Sequence, residues 1–186
     1  MDELQLIGEI KNGNETAFRQ LVEQYQGMIY NTALGMLQQA EDAEDITQEV
    51  FIQALNSISS FKGESKISTW LYRIAVTKSL EHLRRKKRKK RFALFSMFAP
   101  EEKENEAAEF DHPGVVMENK EKAKMLFRAT KQLPDNQRAA FILNKTEGLS
   151  HREVSEVMQI SVAAVESLLH RAKQNLQKIL EDYYRK

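Results

Sequence analysis

Residues 61–91 read FKGESKISTWLYRIAVTKSLEHLRRKKRKKR, and the rest of the chain is understood outward from them. A polar loop around Gly63 gives way to a helical pattern carrying Trp70 and Tyr72. That pattern runs into eight consecutive basic residues, Arg84 to Arg91. Ile67, Trp70, Leu71 and Ile74 group on one side of the helix, while Tyr72, Val76, Leu80 and Leu83 point roughly the other way. A lone surface helix carries a single apolar stripe, so the second implies burial on one face and a ligand or partner on the other. Aromatic rings stack on exposed bases, and a cationic run neutralises phosphates and releases counterions. The combination points to nucleic acid whose bases are at least partly unpaired. Trp and Tyr on a helix also serve as plain core residues, and the segment alone does not separate the two readings.

A helical period continues on both sides of this segment, with almost no strand period. Leu4, Leu6, Ile7 and Ile10 fit a short first helix. Asn14 can cap a second, in which Phe18, Leu21, Val22, Tyr25, Ile29, Ala33 and Leu37 recur at three and four. A third, about 41–57, carries Ile46, Val50 and Ala54 on one stripe, and its acidic first turn suits the positive end of the helix dipole. Lys62-Gly63-Glu64 breaks the chain before the fourth helix, which Ser65 or Ser68 could cap. Downstream, EEKENEAAEFDHPG (101–114) resembles a solvated linker. The expected division is therefore 1–92, a linker 93–113, and 114–186.

The second block is predicted to hold a helix over 115–132 stopped at Pro134, then another over 136–145 ended by Gly148. Ser150 and Glu153 form a capping box for a short helix to about Met158, and a long helix follows from Val162 to about Asp182. A short helix, a tight turn and a longer amphipathic helix is the layout of a helix-turn-helix, although the turn lacks its frequent glycine and an ordinary helical hairpin has a similar pattern.

Composition sets the bounds. The chain has 186 residues, 41% of them hydrophobic, with only seven Gly and three Pro, which permits real cores and disfavours long irregular stretches. Its net charge of +1 hides an uneven layout: +2 over 1–92, −6 over 93–121 and +5 over 122–186. Cysteine is absent, which excludes disulfides, thiolate nucleophiles and Cys-based zinc sites. The start, MDELQLIGEI, is not a secretory signal, and no apolar run approaches a bilayer span. FALFSMFA (92–99) is far too short; behind a basic run it reads as a partner-covered or linker-anchoring patch. His82, His112 and His151 show no ligand spacing, so neither a metal nor a cofactor is expected. The chain reads as cytoplasmic.

Taken together, these segments resemble the extracytoplasmic-function group of bacterial sigma factors across nearly the whole chain. Residues 43–51, AEDITQEVF, are similar to the group's helix that docks on core RNA polymerase. Residues 68–75, STWLYRIA, and Leu83-Arg84-Arg85 are similar to its promoter-melting, −10-reading segment. Leu133-Pro134, Gly148-Leu149-Ser150 and 165–172 are similar to its −35-reading domain. The resemblance implies an all-α chain of two small helical domains that makes no bonds itself but gives polymerase promoter selectivity.

It further implies polymerase contacts at Asp45, Gln48, Glu49 and Phe51. Phe61, Lys62, Gly63, Glu64, Ser65, Lys66 and Thr77 would surround an extruded −10 base. Trp70 and Tyr72 would belong to the strand-separating segment, with Lys66, Arg73, Lys78, Arg84 and Arg85 on phosphates. Ser161, Ala163, Ala164, Ser167, His170 and Arg171 would reach the −35 duplex, and Arg152 a phosphate. By the same analogy a cognate anti-sigma protein is a partner, with the 92–98 patch as a candidate cover site.

Three departures stand out. Glu166 and Leu168 occupy places where the group usually carries a basic residue and an arginine; Ala163-Ala164 replaces Gly-Thr; Thr77 replaces a frequent asparagine. An acidic side chain facing DNA repels phosphate but can accept a hydrogen bond from the cytosine amino group. The −35 element therefore differs, or this domain grips weakly and −10 contacts dominate. Two other classes fit less of the chain. A polymerase-independent helix-turn-helix regulator explains 134–182 but not the acidic helix or the Trp70 segment, and a small helical enzyme finds no P-loop or paired-carboxylate cavity.

Overall fold

The computed structural model describes residues 2–95 and 120–184. In order, these form α1 (Glu3–Lys11), α2 (Glu15–Leu37), α3 (Ala40–Ser57), α4 (Ile67–Phe95), α5 (Lys120–Thr130), α6 (Asp135–Phe141), α7 (His151–Met158) and α8 (Val162–Tyr184). A 3-10 turn, Ile58–Ser60, follows α3, and a π-helical turn, Ile142–Thr146, follows α6. The expected linker and patch residues 96–113, His112 among them, and the expected helix start at 115 lie outside the described residues.

Local chemistry sets most boundaries. Asp2 caps α1 in a box with Gln5, and the Asn14 side chain accepts from the amides of Thr16 and Ala17 at the start of α2. The α4 start departs from expectation. The Ile67 amide donates to the Glu3 carboxylate at 2.8 Å, so the acceptor comes from α1 rather than from Ser65 or Ser68. Ser150 and Glu153 close the expected capping box on α7. Gln159 takes the left-handed conformation (φ 57°) that ends α7, doing without glycine what the turn requires. The helix expected over 136–145 is α6 plus the wider π turn, released at Gly148 with φ +74°.

α2, α3 and α4 pack around Leu21, Ile29, Met36, Ile46, Val50, Ile67 and Leu71, all essentially inaccessible, with α1 laid across α2. Each such side chain contributes roughly 1.5–3 kcal/mol relative to exposure. This core does not stop at the first block. Phe127, Leu143, Val154, Val157 and Val165 join the same cluster, while Ala129, Leu133, Ala172 and Leu176 form a smaller one between α5, α6 and α8. The seam is close. A Cβ placed on Gly35 of α2 would sit 3.0 Å from two atoms of Ile142.

Two buried polar side chains bridge the blocks. Gln38, fully buried, donates through Nε2 to the Phe127 carbonyl and to Thr130 Oγ1. Arg138 donates to the carbonyls of Thr130, Lys131 and Leu133 and, across the seam, to that of Met36 at 2.7 Å. Burial lowers the Arg138 pKa, with Asp135 opposing the shift.

Candidate nucleic-acid and polymerase interface

The loop before α4 is pinned at both ends. Phe61 closes the 3-10 turn through its amide to Ile58, and its carbonyl accepts from Lys11 Nζ at 2.6 Å. Gly63 takes φ +75°, a region that favours glycine. Lys62, Gly63, Glu64 and Lys66 are exposed and Ser65 is half-buried. Phe61 is buried beneath the half-buried Trp70, their rings tilted by 50° with centroids 5.2 Å apart. The loop thus presents polar groups around the edge of an aromatic pair that is already held in place.

Farther along α4 the second apolar stripe meets protein. Tyr72 is buried, and its hydroxyl donates to Glu147 Oε2 at 3.0 Å. Burial raises the Tyr72 pKa, and the adjacent Glu147 adds to the shift. Burial also raises Glu147, with the Tyr72 hydrogen bond pulling it back in part. Arg73 donates to the Glu156 carbonyl at 2.9 Å, and Lys66 pairs with Glu153 at 3.6 Å. Hydrogen bonds from the Ser150 backbone and side chain hold the half-buried Glu153 carboxyl below the usual range. Tyr72 and Arg73, both expected at −10 DNA, therefore face α7 and the turn before it, while Thr77 is exposed.

The basic run splits in two. Lys86 bonds Gln39 and Asp42, His82 lies 3.3 Å from Asp42, and Lys87 pairs with Asp135 at 2.7 Å. Arg84, Arg85 and Arg88 to Arg91 are exposed, with Arg85 3.3 Å from the His82 ring. Lys78, expected on phosphate, pairs instead with Glu49 at 3.1 Å, so a −10 candidate and a polymerase-docking candidate neutralise one another.

On α3, Asp45 and Gln48 are exposed and Glu49 partly so. Phe51, expected at polymerase, turns inward. It is 6% exposed and belongs to the core. Its neighbour Ile52 is 61% exposed and Leu55 46%, and Ile52 stands on the face of Asp45, Gln48 and Glu49 at i+7. The spacing from Asp45 was the available signal for Ile52.

On α8, Ala163, Glu166, Ser167, His170 and Arg171 are exposed at three- and four-residue intervals, opposite the buried Val165, Ala172 and Leu176. Ser161 caps the helix, its Oγ accepting from the Ala164 amide at 3.2 Å, and Ala164 is half-buried. Arg171 folds back on Ser167, Glu166 lies 3.6 Å from His151, and Arg152 pairs with Glu156 one turn on. Among the described residues no helix is long and apolar enough to cross a membrane, and no group of three or more His, Asp or Glu could hold a metal ion.

The family model "Sigma-70 region 2" matches residues 21–89, and "Sigma-70, region 4" matches 123–176. The RNA polymerase sigma-H factor of Pseudomonas aeruginosa is 32% identical over 183 residues, 97% of this chain and 95% of that protein. The ECF RNA polymerase sigma factor SigW of Bacillus subtilis is 34% identical over 180 residues, 95% of each. The fold is shared with CnrH, solved in complex with the cytosolic domain of CnrY (TM-score 0.68, 20% identity, 97% of each chain). It is also shared with the sigma factor RpoE of Bartonella quintana, solved with the anti-sigma factor NepR (TM-score 0.65, 20% identity, 88% of this chain and 96% of that one).

Proposed function

Because the chain belongs to the extracytoplasmic-function sigma factors of the sigma-70 family and directs promoter-specific transcription initiation, we propose how its surfaces divide that work. The exposed α3 face, Asp45, Gln48, Glu49 and Ile52, docks on core polymerase, with Phe51 supporting it from beneath. The loop Lys62 to Lys66, with Phe61 and Trp70, receives an extruded −10 base, Thr77 lies on the same helix, and Arg84, Arg85 and the exposed residues beyond hold phosphates. The α8 face enters the −35 major groove with its N-terminal side chains nearest the bases. The proposed domain limits are 1–92 and 114–186, joined by 93–113.

The observation that carries this reading is the single helix α4, which runs from the braced aromatic pair into an exposed cationic end. Extruding a base costs a few kcal/mol, and stacking returns roughly 1–3 kcal/mol per base, so melting without a nucleotide-driven motor needs several such contacts and polymerase. No bond-making role is assigned to the chain, and a cytoplasmic location follows from the task. An anti-sigma protein is a proposed partner, supported by the fold shared with the sigma factor RpoE, which was solved with the anti-sigma factor NepR. Phe92, 74% exposed, belongs to the candidate cover patch.

Run-off transcription with core enzyme tests the reading. The chain should produce discrete start sites that core enzyme alone does not, and it should bind promoter DNA specifically only with core present. Unselected starts would refute it.

A further inference from the structure

The loop proposed to receive the −10 base keeps its course with help from α1. Among the described residues, Lys62 to Ser65 make no hydrogen bond, and Lys62, Gly63 and Glu64 are exposed. The fixed points lie at either end. Lys11 Nζ donates to the Phe61 carbonyl at 2.6 Å, where the loop begins. Glu3 Oε1 accepts from the Ile67 amide at 2.8 Å, where the loop gives way to α4. Between them, Leu4 Cδ2 lies 3.7 Å from the point that a Gly63 Cβ would occupy. We propose that α1 is the template of the −10 pocket: Glu3 and Lys11 are positioning residues that hold the loop open for the base, and base selectivity there depends on them. This rests on the functional reading above and adds residues to it.

The sequence places all these contacts on one stripe of α1. Glu3, Ile7 and Lys11 recur every four residues, and Leu4 stands seven before Lys11. Ile7, with Leu6 and Ile10, is buried in the core, so the stripe is anchored at its middle and reaches the loop from both ends. The Asp2 and Gln5 box keeps the first turn of α1 regular through Glu3. One anchored helix therefore sets the distance between the two ends of the loop.

Each bond also meets a need that the loop cannot meet alone. Ile67 opens α4, so its amide has no acceptor within its own helix. The Glu3 carboxylate supplies one and sits at the positive end of the α4 dipole. The Phe61 carbonyl, turned to Lys11, fixes the residue whose ring packs on Trp70 with 5.2 Å between centroids. A loop ordered before the base arrives loses less conformational entropy on capturing it, and a wrong base cannot recruit a reshaped pocket. The exposed Arg84, Arg85 and Arg88 to Arg91, assigned to phosphates, act whatever the base. Affinity and selectivity thus reside in different parts of the chain.

Selection from a fully randomised single-stranded DNA library tests this, using the full chain assembled with core polymerase. Retained strands are sequenced and total retention is measured. The unsubstituted chain should yield a motif with one strongly preferred base at the extruded position. Glu3→Ala with Lys11→Met removes both bonds and leaves the buried face of α1 intact, and that preference should fall about tenfold. Total retention, carried by phosphate contacts, should change by less than about twofold. Glu3→Gln with Lys11→Arg keeps an acceptor and a donor, and should restore most of the preference.

An undiminished preference in the first variant overturns the proposal. So does a parallel fall in retention and preference, or a second pair that stays as weak as the first; either would give α1 a merely structural part. Should the first variant fail to assemble with core polymerase, Lys11→Met alone carries the test, because that exposed side chain holds only the start of the loop. Its preference should fall about threefold, and no fall overturns the brace. Should the unsubstituted chain with core polymerase prefer no base at all, it is the functional reading that falls.

Discussion

α4 and α8 are both long helices proposed to face DNA, and they differ in how many sides are apolar. α8 has one apolar side, filled by Val165, Ala172 and Leu176, and an opposite side left bare. α4 has two. Ile67, Leu71 and Ile74 enter the N-terminal core, and Tyr72 and Val76 are buried as well, Tyr72 against the turn that carries Glu147. The contrast teaches that a doubly apolar helix announces a second partner without naming it. Here part of that partner is the chain's own C-terminal block.

The largest effect should come from the polar core that ties the halves. Arg138→Ala would leave the carbonyls of Met36, Thr130, Lys131 and Leu133 without this donor, at a cost of about 3–5 kcal/mol. The urea midpoint of the full chain should drop accordingly. Arg138→Lys should recover only part, because an ammonium carries three donors and lacks the planar fork. An unchanged midpoint in the alanine variant would mean that the seam contributes little and that α4 is open on its second side, as α8 is.

The particular residues show where sequence was sufficient. The α8 face was legible because an amphipathic helix with one buried stripe leaves little choice about the other. The Ser150 box and the Asn14 cap were legible because their chemistry is local. Phe51 was not. Phe51 and Ile52 are adjacent and both apolar, and only the packing of α3 against its neighbours decides that the first turns inward. Gln38 and Arg138 gave no signal at all, since a polar residue buried by contacts about 90 to 100 positions away leaves no periodicity. Glu3 at the head of α4 is illegible for the same reason.

A second, smaller effect separates the melting helix from the duplex reader. Trp70→Ala removes a ring with about 1–3 kcal/mol of stacking, roughly 5- to 150-fold in open-complex formation on duplex promoters. On a bubble template whose −10 strand is already single, the loss should shrink, because separation is no longer required. Thermal unfolding of the same variant reports the lost packing on Phe61. Equal losses on both templates would place Trp70 in the scaffold, with no part in melting.

The smallest effect concerns protons and tests the seam from within. Glu147 faces Tyr72 from α4, and the Glu153 and Lys66 pair lies nearby, with the Glu153 pKa held low by the Ser150 hydrogen bonds. Burial raises the Glu147 pKa from its ordinary 4.5, and parting the halves would return it there. A carboxyl with a higher pKa when closed binds more protons when closed, so closure strengthens as pH falls through the raised value. That gain is complete below 4.5 and absent well above the raised value. Wherever Glu147 is ionised, its charge, partly unsatisfied in the closed seam, thus biases the seam toward opening. Glu147→Gln keeps the shape and removes the charge. It should shift the closed population by about 1 kcal/mol at pH values above the raised pKa and erase the pH dependence. Spin labels on Gln53→Cys and Lys173→Cys, both exposed positions, would report the distance distribution across pH. A glutamine variant that opens rather than closes would show that the charged carboxylate holds the Tyr72 contact, reversing the sign argued from burial.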